Sequence, residues 1–237
     1  MADTIYATKD INKAIRAQLK KGAATRIEGL TSQDNIAVGL FSDTKITIVG
    51  DAGDFFGALN DGTTLLLKGN SGRFLGDTMT SGRIVVEGNV GDGVGINMRG
   101  GQIMIKGQAG SKVGAGMKGG LIIIDDDVGD ELGLNLFNGD IVVTGNAGKN
   151  VGLNMYGGSI FVNGEIKSLG KNAKVQKPDK NDKLKLTDFL TEQNLLGEFK
   201  FRKVASENEL PFDVIKKSFN FTLKKQQNNK EKNEMAV

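Results

Sequence analysis

Apolar residues in this chain come as short alternating pairs that recur at a constant spacing. Ile46/Ile48, Leu65/Leu67, Ile84/Val86, Ile103/Ile105, Ile122/Ile124, Ile141/Val143 and Ile160/Val162 follow one another every nineteen residues, with no insertion. Spacing by two puts both members of a pair on one face of a strand. Two more apolar columns keep the same step. One is Phe56, Leu75, Val94, Val113, Leu132 and Val151; the other is Met79, Met98, Met117, Leu136 and Met155. Each repeat is therefore expected to reach a common core from two or more short strands. A unit this small cannot bury its own apolar face and must stack on its neighbours.

The polar and glycine positions repeat as well. The turn after each pair reads Gly50-Asp51-Ala52-Gly53, then Gly69-Asn70-Ser71-Gly72, Gly88-Asn89-Val90-Gly91, Gly107-Gln108-Ala109-Gly110, Asp126-Asp127-Val128-Gly129 and Gly145-Asn146-Ala147-Gly148. Gly164-Glu165 starts the motif again and then departs from it. Glycine kept at fixed places predicts positive φ or close backbone approach in every unit. The column Asp51, Asn70, Asn89, Gln108, Asp127, Asn146, Glu165 is placed to hydrogen-bond up the stack, side chain to side chain.

These columns predict an all-β fold: a parallel β-helix of about seven coils of nineteen residues, with short flanking helices. At the usual strand spacing the rod would be about 34 Å long. The rival at this period, a leucine-rich repeat, asks for Leu-x-x-Leu-x-Leu with Asn or Cys, whereas glycine and β-branched residues dominate here.

A solenoid needs caps at both ends. Residues 1–25 are read as an N-terminal helical cap, with Ile11, Ile15 and Leu19 on one face, Thr8 or Asp10 as N-cap and Gly22 as the stop. The β-helix is assigned to 26–170, its first part degenerate around Ile27 and Ile36. Residues 171–182 read as a polar linker. Residues 183–225 read as a helical or irregular extension, with a helix over 184–196 and a further one from Pro211 to Phe219. Residues 226–237 read as a disordered tail.

Composition narrows the chemistry. Among 237 residues there is no Cys, no His and no Trp. The first two absences remove disulfides, zinc fingers, Fe–S or haem ligation by those side chains, and Ser-His-Asp or Cys-His nucleophiles. A chain without cysteine fits a reducing compartment, and a cytoplasmic location is expected. The start, Met1-Ala2-Asp3-Thr4, lacks the basic and apolar regions of a signal peptide. No apolar run is long enough to span a membrane. The net charge of +3 is too small to point to a polyanion.

A few motifs bear on chemistry. Gly91-Asp92-Gly93-Val94-Gly95 looks like a phosphate-binding glycine loop, but the strand–turn–helix context is missing and another coil follows. The acidic run Asp125, Asp126, Asp127, Asp130 and Glu131 breaks the repeat, with Asp126 in a glycine column. It is read as a solvated turn rather than a calcium or acid–base site. The methionine column is read as packing. The basic tail around Lys216, Lys217, Lys224 and Lys225, interleaved with Phe219 and Phe221, is read as a solvated end with no nucleic-acid role. No catalytic, cofactor-binding or metal-ligating residue is assigned.

The run Gly88-Asn89-Val90-Gly91-Asp92-Gly93-Val94-Gly95-Ile96-Asn97-Met98-Arg99-Gly100-Gly101-Gln102-Ile103 and its copies resemble the GXGXG domain, over residues 30–170. The resemblance implies a right-handed β-helix of the kind found at the C-terminus of the glutamate synthase large subunit. The family also supplies one of the subunits of formylmethanofuran dehydrogenase and stand-alone subunits of split glutamate synthase-like and N-methylglutamate synthase-like enzymes. The flanks, Ile36–Leu40 and Ile160–Gly170, are most similar to the split type. That resemblance implies a non-catalytic scaffold beside a glutamine amidotransferase and an FMN-dependent synthase, helping to frame ammonia transfer. FMN and an Fe–S cluster would then belong to partner subunits. The alternatives are the formylmethanofuran dehydrogenase subunit, or a free-standing binding module that associates with itself.

Overall fold

The computed structural model describes residues 7–20, 25–195 and 197–207. Its body is a parallel solenoid. Strands β2 (Lys45–Ala52), β3 (Thr64–Lys68), β4 (Arg83–Val86), β5 (Gln102–Ile105), β6 (Leu121–Ile124), β7 (Asp140–Val143) and β8 (Ser159–Val162) pair in sequence order, all parallel. The register advances nineteen residues at every step, as in Ile46↔Leu65, Leu65↔Ile84 and Ile84↔Ile103. The expected columns are its interior. Both members of every strand pair, the column from Phe56 to Val151 and the column from Met79 to Met155 lie in one continuous buried cluster.

Each coil has one named strand, not two or more. The second extended contact is a single bridge per coil, in the series Ala52↔Ser71, Ser71↔Val90, Val90↔Ala109 and onward to Ala147↔Ile166. The rest of each coil is turn, with left-handed residues such as Gly95, Asn97, Gly114 and Gly133 at its corners. The expected glycine roles divide here. Gly114 has φ +67, and a Cβ there would stand 2.4 Å from Ile141 Cδ1. At Gly148 the φ is ordinary, and a Cβ would instead strike Asp130 Oδ1 in the preceding coil. The first position answers to backbone conformation and the second to close approach.

Helix α1 (Thr8–Leu19) closes the N-terminal end, with Ile11 and Ile15 buried against the first coil. Its N-cap is Ala7, with no side-chain cap bond, rather than Thr8 or Asp10. The Thr8 hydroxyl is used elsewhere, donating to Asp34 O at 3.2 Å. Asn12 Nδ2 donates to Asn35 O, Asn12 Oδ1 accepts from Ala37 N, and Arg16 Nη2 donates to Val38 O. Thr8, Asn12 and Arg16 share one helix face, so α1 covers the open edge by bonding its backbone. Gly22 lies outside the described residues. Strand β1 (Thr25–Gln33) pairs with β2 through two register shifts, which makes the first coil irregular.

The C-terminal end departs from the sequence reading. Residues 171–182, expected as a linker, hold strand β9 (Ala173–Gln176) and the first turn of helix α2 (Lys180–Glu192). Asp179 and Asp182 form a capping box that starts α2 four residues before the expected position. Strand β10 (Arg202–Ser206), for which the sequence offers no signal, inserts antiparallel between β8 and β9. Its Val204 is fully buried in the rod core. The expected helix from Pro211, the basic tail and the tail 226–237 lie outside the described residues.

Candidate functional site

The rod surface is built by side chains that recur once per coil, and two polar ladders run along it. In the first, Asp51 Oδ1 accepts from Asn70 N, Asn70 Oδ1 from Asn89 N, Asn89 Oδ1 from Gln108 N, Asp127 Oδ1 from Asn146 N and Asn146 Oδ1 from Glu165 N, at 2.6–2.9 Å. The expected column is therefore a ladder, but its rungs run from side chain to backbone. One amide–carboxylate rung accompanies them, Asn70 Nδ2 to Asp51 Oδ1 at 3.1 Å. The backbone N–H at each turn points along the rod and needs an acceptor, and a short Asp or Asn side chain has the right reach.

Gln108 does not. It is one methylene longer, it is exposed, and Asp127 N donates instead to Asp126 Oδ1 at 2.8 Å. Asp126 thus stands in the glycine column for a structural reason. From Gly69 onward a Cβ at this place in the other coils would meet the side-chain oxygen of the preceding ladder residue, for example Asn89 Oδ1 at 2.3 Å from a Cβ on Gly107. At Gln108 the rung to the next turn is missing, and its acceptor is supplied from the same turn by Asp126.

The second ladder is absent from the sequence reading. Asp34 Oδ1 accepts from Asp54 N, Asp54 Oδ1 from Arg73 N, Asp92 Oδ1 from Ser111 N, Ser111 Oγ from Asp130 N and Asp130 Oδ1 from Lys149 N. Its signal lies in the nineteen-residue column Asp54, Arg73, Asp92, Ser111, Asp130, Lys149, masked by mixed residue types. Asp54 also takes two bonds from the Arg73 guanidinium. Those bonds, followed by the Arg73 backbone N–H, hold its carboxyl below the usual carboxylate range.

The acidic run is dispersed by these ladders. Asp126, Asp127 and Asp130 each serve a different turn, as given above. Glu131 faces Lys112 at 3.9 Å. Asp125 accepts from the Thr144 hydroxyl at 3.1 Å, and its pKa is raised mainly by burial, with a smaller push from Asp126. No group of three or more acidic, His or Cys side chains among the described residues is gathered to hold a metal ion. The loop Gly91–Gly95 is a coil turn: Asp92 feeds Ser111 N, and Gly95 N donates to Leu75 O in the preceding coil. The methionine column, Met79, Met98, Met117 and Met155, is core.

A further surface is apolar. On the outer face of the sheet, Met104, Leu121, Ile123, Val142 and Phe161 form a second buried cluster with Leu186 of α2. Helix α2 is held there by Lys203 Nζ bonded to both Asp182 carboxylate oxygens, at 2.9 and 3.0 Å, and by Lys185 to Asp140 at 3.3 Å. Arg83 Nη2 donates to Gln193 Oε1 at the far end. The cluster is legible as the middle residue of each apolar triplet, since a strand with one wet face would carry polar residues there.

The geometry defines a class: a parallel solenoid with two ladders of surface side chains bonded to the backbone of the next coil. The chain belongs to the GXGXG motif family, whose sequence model matches residues 2–185. Domains of this family occur in glutamate synthase-type proteins, with which a glutamate synthase-like role is consistent. No curated protein matches the chain. Among the described residues no helix is long and apolar enough to cross a membrane.

Proposed function

We propose that this chain is a non-catalytic scaffold subunit of a glutamate synthase-like complex. It holds a glutamine amidotransferase subunit and an FMN-dependent synthase subunit in fixed relation and frames the passage of ammonia between them. FMN and the Fe–S cluster reside on those partners. The observation that carries this reading is membership of the GXGXG family by a chain whose sequence has neither Cys nor His. Glutamine hydrolysis by a cysteine nucleophile and cluster ligation by cysteines would then be supplied from outside these 237 residues. A solenoid suits the task because each coil is locked to the next at every turn, so sites mounted on it keep their separation. Fixing two sites raises the effective concentration of a small intermediate at the second.

The test is co-purification of the tagged full chain from its native source, with mass spectrometry of what is retained. An amidotransferase and an FMN-binding chain in fixed ratio are expected. Recovery with molybdopterin-enzyme subunits would move the chain to a formylmethanofuran dehydrogenase-type complex. Recovery alone, as monomer or homo-oligomer, would leave a free-standing module and overturn the proposal.

A further inference from the structure

The sequence contains two Asn-Gly steps on the rod, Asn138-Gly139 and Asn163-Gly164, and the fold treats them oppositely. Asn163 is locked. Its Nδ2 donates to Thr144 O at 3.0 Å, its Oδ1 accepts from Lys200 N at 2.7 Å, and Gly164 N donates to Gly145 O at 2.9 Å. Asn138 is exposed, and its side-chain amide has no hydrogen-bond partner among the described residues. Gly139 N, which precedes the first residue of β7, makes no hydrogen bond among them either. The same place in the coils on either side is Gly119 or Gly157, so no side chain overhangs Asn138 from its own column.

Cyclisation at such a step needs a free backbone nitrogen, a mobile side-chain amide and a following residue without a Cβ. We propose that Asn138–Gly139 is a site of spontaneous covalent modification, a deamidation clock built into one corner of the rod. The Gly139 nitrogen loses its proton to solvent base and attacks Asn138 Cγ. The N–Cγ bond forms, the Cγ–Nδ2 bond breaks, and Nδ2 leaves as ammonia after taking a proton from water. Water then adds to one carbonyl of the resulting imide. It leaves either an aspartate at 138 or the isomer whose main chain runs through the side-chain carbonyl. No oxidant or reductant takes part. The corner has little slack for the isomer: Gly139 has φ +103, and the site of its Cβ is 2.6 Å from Met117 Cε.

The test is incubation of the folded full chain in mildly alkaline buffer, followed by peptide mass spectrometry with separation of aspartate from its isomer. Three hydrogen bonds protect the second step and none of these protects the first. Asn138 is therefore expected to convert at least about tenfold faster than Asn163. In denaturant both steps should convert at similar rates, and Asn138→Gln should abolish the fast phase. Equal rates in the folded chain would overturn the proposal. So would a folded chain stable at both steps while the denatured chain converts at both.

Discussion

The inside of the rod and the outer face beneath α2 are both apolar and both dry, but they are dry for different reasons. The interior is sealed by repetition. Every coil from β2 to β8 contributes the same inward positions, and each neighbour nineteen residues away covers them. The outer cluster is sealed by one element. Val85, Met104, Ile123, Val142 and Phe161 occupy outward positions that would face water on a bare rod, and α2 with Phe201 covers them. Beyond Val85 the outward residue is Leu66 in β3, half-buried and outside this cluster, and then Thr47 in β2. A periodic core is thus a local property of the chain, whereas the outer core depends on contacts such as Arg83 with Gln193, 110 residues apart.

This difference can be broken from the inside first. Val113→Asp places an unpaired charge at a fully buried position, at a cost of more than about 4 kcal/mol. It should abolish the cooperative melt seen by circular dichroism. Lys112→Asp, at an exposed side chain next door, should leave the melt in place. Equal stability of the two variants would mean that the register is misassigned.

The outer core should yield separately. Leu186→Ala removes a buried side chain from the α2 seat and should weaken docking of that helix by about 2 kcal/mol. Hydrogen exchange is then expected to quicken in α2 while amides in β4 to β7 keep their protection. Loss of protection in the coils to the same degree would show that the two cores unfold as one.

A third experiment sharpens the picture at a single turn. Asp126→Gly alone removes the acceptor for Asp127 N, and Gln108→Asn alone crowds the Cβ of Asp126. Each single change should lower stability by about 1 kcal/mol. The double variant restores the rung found in the other coils and should recover most of that loss, a coupling readable in a double-mutant cycle. Additive losses would refute the account of why Asp126 interrupts the glycine column.

The smallest effect is electrostatic. Burial raises the Asp125 pKa, so the native chain keeps that proton to higher pH than the unfolded chain. The contribution of this group is most favourable below the unfolded value and declines as pH rises through the raised native value. Asp125→Asn should therefore give a slightly higher Tm near neutrality and a flatter stability profile in the acid range. It should keep the bond from Thr144, because an amide oxygen also accepts. A lower Tm would indicate that the charge itself is favourable there.

Legibility follows the same division. Columns of like residues, from Ile46/Ile48 to Ile160/Val162, can be read directly because a coil meets only its neighbours and the period reports that contact. The second ladder is harder, since Asp, Arg, Ser and Lys share its column and only some of them accept a hydrogen bond. The N-cap of α1 falls one residue before Thr8 because the Thr8 hydroxyl is claimed by Asp34, 26 residues away. β10 leaves no pattern: a short strand with one fully buried residue, Val204, has too little periodicity to register.

The sequence by itself determined the coil, its nineteen-residue step, the inward columns and the glycines at its corners. Those features arise from steric and hydrophobic demands repeated in every unit. The tertiary structure alone decided how the ends close and which outward residues become core. It also decided which asparagine is held and which is free. Each of these depends on a partner distant in the chain, whose arrival no local pattern encodes.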